Sequence, residues 1–246
     1  MTMPGGVVRV GMWSGPRNIS TAMMRSWENR PDTVVVDEPL YAEYLLRTGV
    51  DHPGRDQIIA AQPTSLTAVV AELMAPLPAG RTVHYAKHMA QHLDLSVDAD
   101  WTDEFRNVLL IRDPAEVVAS YVRSRETCEP EDIGLLQQHW LLDRWDALDY
   151  DVPVIDSADF LRAPEAYLRW LCDWLDIGFT DRMLSWPAGP RDSDGVWAPY
   201  WYDAVLASTG FEPYRPRTVD LSPHDAEVAR VCRPAYDAMH ERRVRL

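Results

Sequence analysis

The sequence predicts an α/β fold around a central, mainly parallel sheet of five strands. Three observations predict it. Short runs rich in β-branched residues alternate with longer amphipathic stretches, the pattern of successive βαβ units. The 246 residues, 46% hydrophobic and 10% aromatic, suffice for a sizeable core and favour one domain over residues 1–246. No internal repeat or low-complexity tract breaks the alternation, and no run approaches the roughly 20 apolar residues of a membrane span.

In chain order, strands are expected at 7–13, 33–36, 82–86, 107–111 and 152–155, each a short apolar run of strand length. Helices are expected near 20–29, 39–47, 64–74, 114–125, 133–148 and 164–175, where apolar residues recur at helical spacing. A last helix opens at Ser222-Pro223: serine suits the capping position, and proline suits the first helical one, where its missing N–H is not needed. The stretch 185–217 is rich in Pro, Gly, Trp and Tyr with weak periodicity. It reads as a poorly ordered loop or as a lid or substrate loop over a site, and its aromatics favour order. Trp197, Tyr200, Trp201 and Tyr202 belong either to an apolar or sugar-binding wall or to the core.

Charge narrows the function classes. The formal net charge is −14, and the 24 basic residues are 23 arginines and a single lysine, Lys87. Such acidity disfavours nucleic-acid binding, which rests on many cations displacing counterions, yet leaves room for a local arginine cluster on a small anion. The start of the chain lacks the basic-then-apolar order of a signal peptide, and Cys128, Cys172 and Cys232 form no Cys-x-x-Cys pair. A cytoplasmic protein with reduced thiols is expected.

After the first strand, Ser14-Gly15-Pro16-Arg17-Asn18-Ile19-Ser20-Thr21 leads straight into a helix. Strand, glycine-bearing turn and helix N-terminus direct backbone N–H groups and a positive dipole end at one point, an arrangement that suits a phosphate. The same turn could be an ordinary connection in which Ser20 caps its own helix. A Walker A motif does not fit, because Pro16, Arg17 and Asn18 stand where its Gly, Lys and Ser/Thr belong. Asp37, ending the apolar run Val34-Val35-Val36, imitates a magnesium-holding carboxylate and keeps a phosphotransferase as a rival. Arg112, followed by Asp113-Pro114, ends another strand, where ligands bind in open α/β sheets, or it pairs with Asp113.

Two of these segments resemble the sulfotransferases that use 3′-phosphoadenosine 5′-phosphosulfate (PAPS) and release adenosine 3′,5′-bisphosphate (PAP). Pro16-Arg17-Asn18-Ile19-Ser20-Thr21 is similar to the 5′-phosphosulfate loop Pro-Arg-Ser-Gly-Ser-Thr, with Ile19 in place of glycine. Arg112-Asp113-Pro114 with Ser120 resembles the 3′-phosphate motif. Softer likenesses follow. Residues 159–175 resemble the family's Tyr-Glu-Asp-Leu segment, with Ser157 where its adenine-side tyrosine stands. Residues 189–197 resemble its late glycine loop, with Arg191 as the counterpart of a 3′-phosphate contact.

The resemblance implies a three-layer α/β/α, nucleotide-kinase-like P-loop fold and transfer of a sulfuryl group from PAPS to a hydroxyl of a small-molecule acceptor, with no metal. It implies donor contacts from Gly15, Pro16, Arg17, Asn18, Ile19, Ser20, Thr21, Arg112, Ser120 and Arg191. Arg17 would stabilise the leaving oxygen, and Lys87 would contact the sulfuryl group. Glu38 is the leading base, or else a carboxylate favoured by a helix start. His88 and His92 are the other candidates. His84, His88 and His92 would form a metal face only on one helix, and 82–86 reads as strand. Lys87-His88-Met89 resembles the Lys-Thr-His strand end of the cytosolic members, with the histidine one residue out of register. A nucleotide-binding module without catalysis is the non-enzyme alternative.

Overall fold

The computed structural model describes residues 6–123, 125, 127–216 and 218–246. Five strands, β1 (Val8–Ser14), β2 (Thr33–Asp37), β3 (Val83–Met89), β4 (Arg106–Ile111) and β5 (Val154–Asp156), form one sheet in the order β2-β3-β1-β4-β5. Every pairing is parallel. The α-helices are α1 (Ser20–Glu28), α2 (Tyr41–Thr48), α3 (Arg55–Ala61), α4 (Leu66–Leu73), α5 (Pro114–Tyr121), α6 (Leu135–Ala147), α7 (Ser157–Arg162), α8 (Pro164–Trp174), α9 (Ala198–Trp201), α10 (Asp203–Leu206) and α11 (Pro223–Glu241).

Alternation along the strands divides the core between the two faces of the sheet. Val10, Met12, Tyr85, Val108 and Leu110 pack with Met23, Met24 and Trp27 of α1 and Leu168 and Leu171 of α8. Trp13, Ala86, Leu109 and Ile111 pack with α4, α5, α6 and α11 on the other face. A third cluster joins Tyr41, Ala42 and Leu45 of α2, Ile58 of α3, and Trp197, Ala198 and Tyr202. This accounts for the aromatics of 185–217: Trp197 and Tyr202 are core residues, whereas Tyr200 is exposed.

Three expectations change. Strand β3 runs on through Lys87, His88 and Met89, all buried, because its polar end faces other parts of the protein and an apolar pattern cannot mark it. Four helices are additional to those expected: α3, the short α9 and α10 within 185–217, and α7, which Asp156 caps by accepting from the Ala158 and Asp159 amides (2.9 and 3.3 Å). Helix α5 stops at Tyr121, and the expected continuation toward 125 crosses residue 124, which lies outside the described residues, as does Arg217 at the end of the expected lid. The last helix opens as read: Ser222 accepts from the Asp225 amide, with Pro223 first in the helix.

The strand order places the functional end. The chain goes from β1 to β2 on one side of the sheet and reaches β4 on the other, so β1 marks the point where succession reverses. Ligands of open α/β sheets bind beyond the carboxyl ends of the strands at such a point. The turn 15–19 lies there.

Candidate active site

The first turn leaves a helix end free. A Cβ on Gly15 would stand 2.1 Å from the Ile133 carbonyl oxygen, so only glycine lets these segments pass. Gly15 is absent from the cavity wall that starts at Pro16, which moves it from donor contact to packing. Arg17 is left-handed at φ 54°, a conformation costing a non-glycine residue about 1–2 kcal/mol. Asn18 braces it: Nδ2 donates to the Leu110 carbonyl at the end of β4 (2.8 Å), and Oδ1 accepts from the Ile19 amide (3.0 Å). Ile19 has φ −63°, open to any residue, so the glycine of the family loop is not needed for conformation here. Ile19, not Ser20, holds the capping position of α1, and no side chain caps the helix. The Ser20 hydroxyl instead donates back to the Asn18 carbonyl (3.4 Å). Ser20, Thr21 and Ala22 therefore present an uncapped helix start to the cavity.

Across the cavity stands the end of β4. Arg17 Nε donates to Ser120 Oγ (3.1 Å), and Arg112 donates to the Arg17 carbonyl (2.6 Å) and to Glu116 Oε2 (2.9 and 3.0 Å). Asp113 is not the partner of Arg112: it caps α5 and pairs with Arg233 (2.8 Å). Burial first, then the charges of Arg123 and Arg112, push the Arg17 pKa down. Like charges gathered at one wall favour an anion. Arg191 does not join them. It is absent from the cavity wall, donates to the Pro187 carbonyl (3.1 Å) and lies 4.0 Å from Glu28, in the last turn of α1. The late segment brings Arg215 and Tyr214 instead, and the Tyr214 hydroxyl donates to Glu116 (2.9 Å). Nothing in the local pattern of 211–215 marks them; only the path of the chain does.

Beside the cradle lies a buried ionic knot. Strand register sets Asp37 opposite Lys87, and Lys87 is 1% exposed. Lys87 Nζ lies 2.8 Å from Asp37 Oδ1, 2.8 Å from Glu38 Oε1, 3.1 Å from Thr21 Oγ1 and 2.6 Å from the Tyr202 hydroxyl. Asp37 Oδ2 accepts from Tyr202 (2.6 Å) and from the Gly195 amide (3.2 Å). Four oxygens thus share three N–H donors, so in this arrangement Lys87 neutralises carboxylates and has no donor to spare for the sulfuryl group. Glu38 is left-handed at φ 42°, which turns its side chain toward this knot and the cavity it lines. Its Oε1 is held by Lys87, while Oε2 has no partner among the described residues. Desolvation raises the Glu38 pKa, Lys87 opposes that, and Asp37 adds to it.

The histidines separate. His88 points to the face opposite Lys87, stacked on Trp13 at 4.1 Å, outside the cavity wall. Burial lowers its pKa to about 3. The extension of β3 thus removes His88 from the candidate bases. His84 shares that face four positions earlier, whereas His92 lies beyond the strand and lines the cavity, so the three histidines form no common face. His92 does line the cavity, its ring stacked on Tyr41 (4.5 Å) and Tyr44 (4.7 Å). Its Nδ1 is sealed in without an acceptor, which favours the tautomer carrying the proton on Nε2. In that tautomer Nε2 is a donor and not a proton acceptor. Desolvation pushes its pKa well down.

The cavity holds about 650 Å³, room for a nucleotide and a small partner. Trp201, Tyr202, Val205, Phe211 and Tyr214 of the late segment line it, and other residues of that segment anchor it to α1. Arg25 binds Asp194 (2.7 Å), Ser193 donates to Glu28 (2.6 Å), and Tyr202 reaches the knot.

Comparison with known proteins agrees with this geometry. The chain is similar to a sulfotransferase domain solved from the curacin biosynthetic pathway, at a TM-score of 0.52 and 14% identity over 92% of this chain and 97% of that one, a likeness of fold. Two Arabidopsis thaliana proteins named branched-chain-amino-acid aminotransferase-like protein 1 and 2 are 36% and 34% identical over 215 and 229 residues, 87% and 92% of this chain. The chain spans only about two fifths of their length (38% and 40%), so their name describes proteins that lie mostly outside the match. Residues 8–243 match the family model described as "Sulfotransferase domain". With that match over nearly its whole length and the five-stranded parallel sheet to go with it, the chain belongs to the sulfotransferase domain family.

Proposed function

We propose that the chain transfers a sulfuryl group from PAPS to a hydroxyl of a small-molecule acceptor. The observation that carries this is the convergence of an uncapped α1 start with Arg17, Arg112 and Ser120 from sequence-distant turns. The amides opening α1, with Ser20 and Thr21, take the 5′-phosphosulfate. Arg112 and Ser120 take the 3′-phosphate, with Arg215 in the place first expected of Arg191. Ser157, Leu161, Phe211 and Tyr214 line the remaining wall, and its two aromatic rings suit the purine. Residues 185–216 serve as the lid of one domain, in a cytoplasmic setting.

In the reaction, the acceptor oxygen bonds to sulfur as the bond from sulfur to the 5′-phosphate oxygen breaks. The hydroxyl proton passes to Glu38 Oε2. Arg17 and the α1 dipole take the charge gathering on the departing oxygen. Lys87 acts one step back, holding Glu38 in place and balancing it. The phosphotransferase alternative is weaker, since both oxygens of Asp37 are occupied by Lys87, Tyr202 and Gly195.

Calorimetry with PAP against adenosine 5′-phosphate tests the reading. One charge-assisted contact is worth about 1.5–3 kcal/mol, so PAP should bind at least roughly 10-fold tighter. Equal affinities, or no binding of either, would discard the 3′-phosphate assignment.

A further inference from the structure

Resting on that reading, we infer that the acceptor is an alcohol or phenol that carries an oxyanion, and that Arg125 receives that oxyanion. Arg125 follows α5, is half-buried and lines the cavity on the side of α2. Its place is fixed by a chain of contacts from the base. The Tyr41 amide donates to the Glu38 carbonyl (3.0 Å), the Tyr41 hydroxyl bonds His52 Nδ1 (2.8 Å), and Arg125 donates to the carbonyl of neighbouring Asp51 (3.3 Å).

Charge on the two halves of the cavity differs in what answers it. On the donor half, Arg17, Arg112, Arg123 and Arg215 face a nucleotide with several negative charges. On the Glu38 half, Lys87 is already matched by Asp37 and Glu38. Arg125 has no carboxylate within 4.0 Å among the described residues. Asp132, whose carboxyl pKa Arg125 helps to lower, accepts from the Glu129 amide (2.9 Å). Among the described residues one of the five guanidinium donors is used, on a backbone carbonyl. A half-buried guanidinium so poorly satisfied is well placed to bind an oxyanion through its planar fork. The surroundings describe the rest of the molecule it takes. His52 and His92 are desolvated and neutral, so they add no rival charge, and Tyr41, Met89, Trp201 and Val205 offer flat apolar walls.

The test fills the donor half first. With PAP saturating, affinities are measured calorimetrically for 4-hydroxyphenylacetate against 4-hydroxyphenylacetamide and for glycerol 3-phosphate against glycerol, which separates carboxylate from phosphate. At least one anion should bind about 10-fold or more tighter than its neutral partner. Arg125→Gln should erase the preference while PAP still binds, and Arg125→Lys, which keeps the charge, should retain part of it. Ratios near one in both pairs, no binding of either anion, or a preference that survives Arg125→Gln would overturn the inference. If PAP itself fails to bind, the donor reading falls, and the same ratios on the free chain still judge Arg125.

Discussion

Replacing Lys87 with methionine removes the one cation of the buried knot and leaves Asp37 and Glu38, 5% and 8% exposed, side by side without it. Losing one partner of a buried ion pair costs about 3–5 kcal/mol, because the remaining charge stays desolvated. For a chain of this size each kcal/mol moves Tm by about 2–4 °C, so the loss should be roughly 6–20 °C. The loss must also depend on pH. Burial already raises the Glu38 pKa above its ordinary 4.5, and Lys87 is what restrains it. Without Lys87 the folded-state pKa rises further. A carboxyl raised on folding carries no penalty below its unfolded pKa and an increasing one as pH climbs through its folded pKa. Thermal unfolding should therefore show a smaller Lys87→Met deficit at about pH 5 than at about pH 8, and Asp37→Asn in the same chain should recover part of it. A Tm loss under about 2 °C, or one equal at both pH values, would refute the account of Lys87 as the counterion of a desolvated pair. Lys87→Arg should fall between, since a planar fork cannot meet four oxygens gathered around one point.

Other predictions address the site and its frame. Arg112→Ala should weaken PAP by roughly 10- to 150-fold and leave adenosine 5′-phosphate nearly unchanged, as read by calorimetry. Glu38→Gln should keep PAP affinity while turnover drops about 100- to 10,000-fold. In the parent chain the acid limb of the rate profile should lie above pH 4.5, the ordinary glutamate value, because Glu38 must be ionised to accept a proton and its pKa is raised. Gly15→Ala should destabilise by about 1–3 kcal/mol or more, since its Cβ meets a backbone carbonyl at 2.1 Å; a Tm within about 2 °C of the parent would contradict that clash.

Strand count, parallel sheet, the first turn and the end of β4 were legible because each has a local signature: an apolar run, a turn residue, or a helix start. The Arg17, Arg112 and Ser120 positions were legible as candidates for the same reason. Arg191 was misplaced because its glycine-rich neighbourhood resembled a motif, while its side chain lies against Glu28 at the far end of α1. His88 was misjudged because the end of β3 carries polar residues, so its length, and with it the face His88 occupies, was hidden. Arg125 and Arg215 carry no local mark, and the aromatic cluster that marks Tyr202 does not reveal its hydroxyl's contact with Lys87.

By itself the sequence determined the α/β alternation, the turn after β1 and an arginine at the end of β4, because these rest on patterns spanning a few residues. Tertiary structure decided what each charged side chain meets. Lys87 became the partner of two carboxylates only through strand register and the return of Tyr202 from more than a hundred residues away. Glu38 acquired a raised pKa through burial, with the neighbouring Asp37 adding to it. Ionic chemistry in a low-dielectric cavity is set by distances between segments far apart in the chain, and no local pattern encodes those distances.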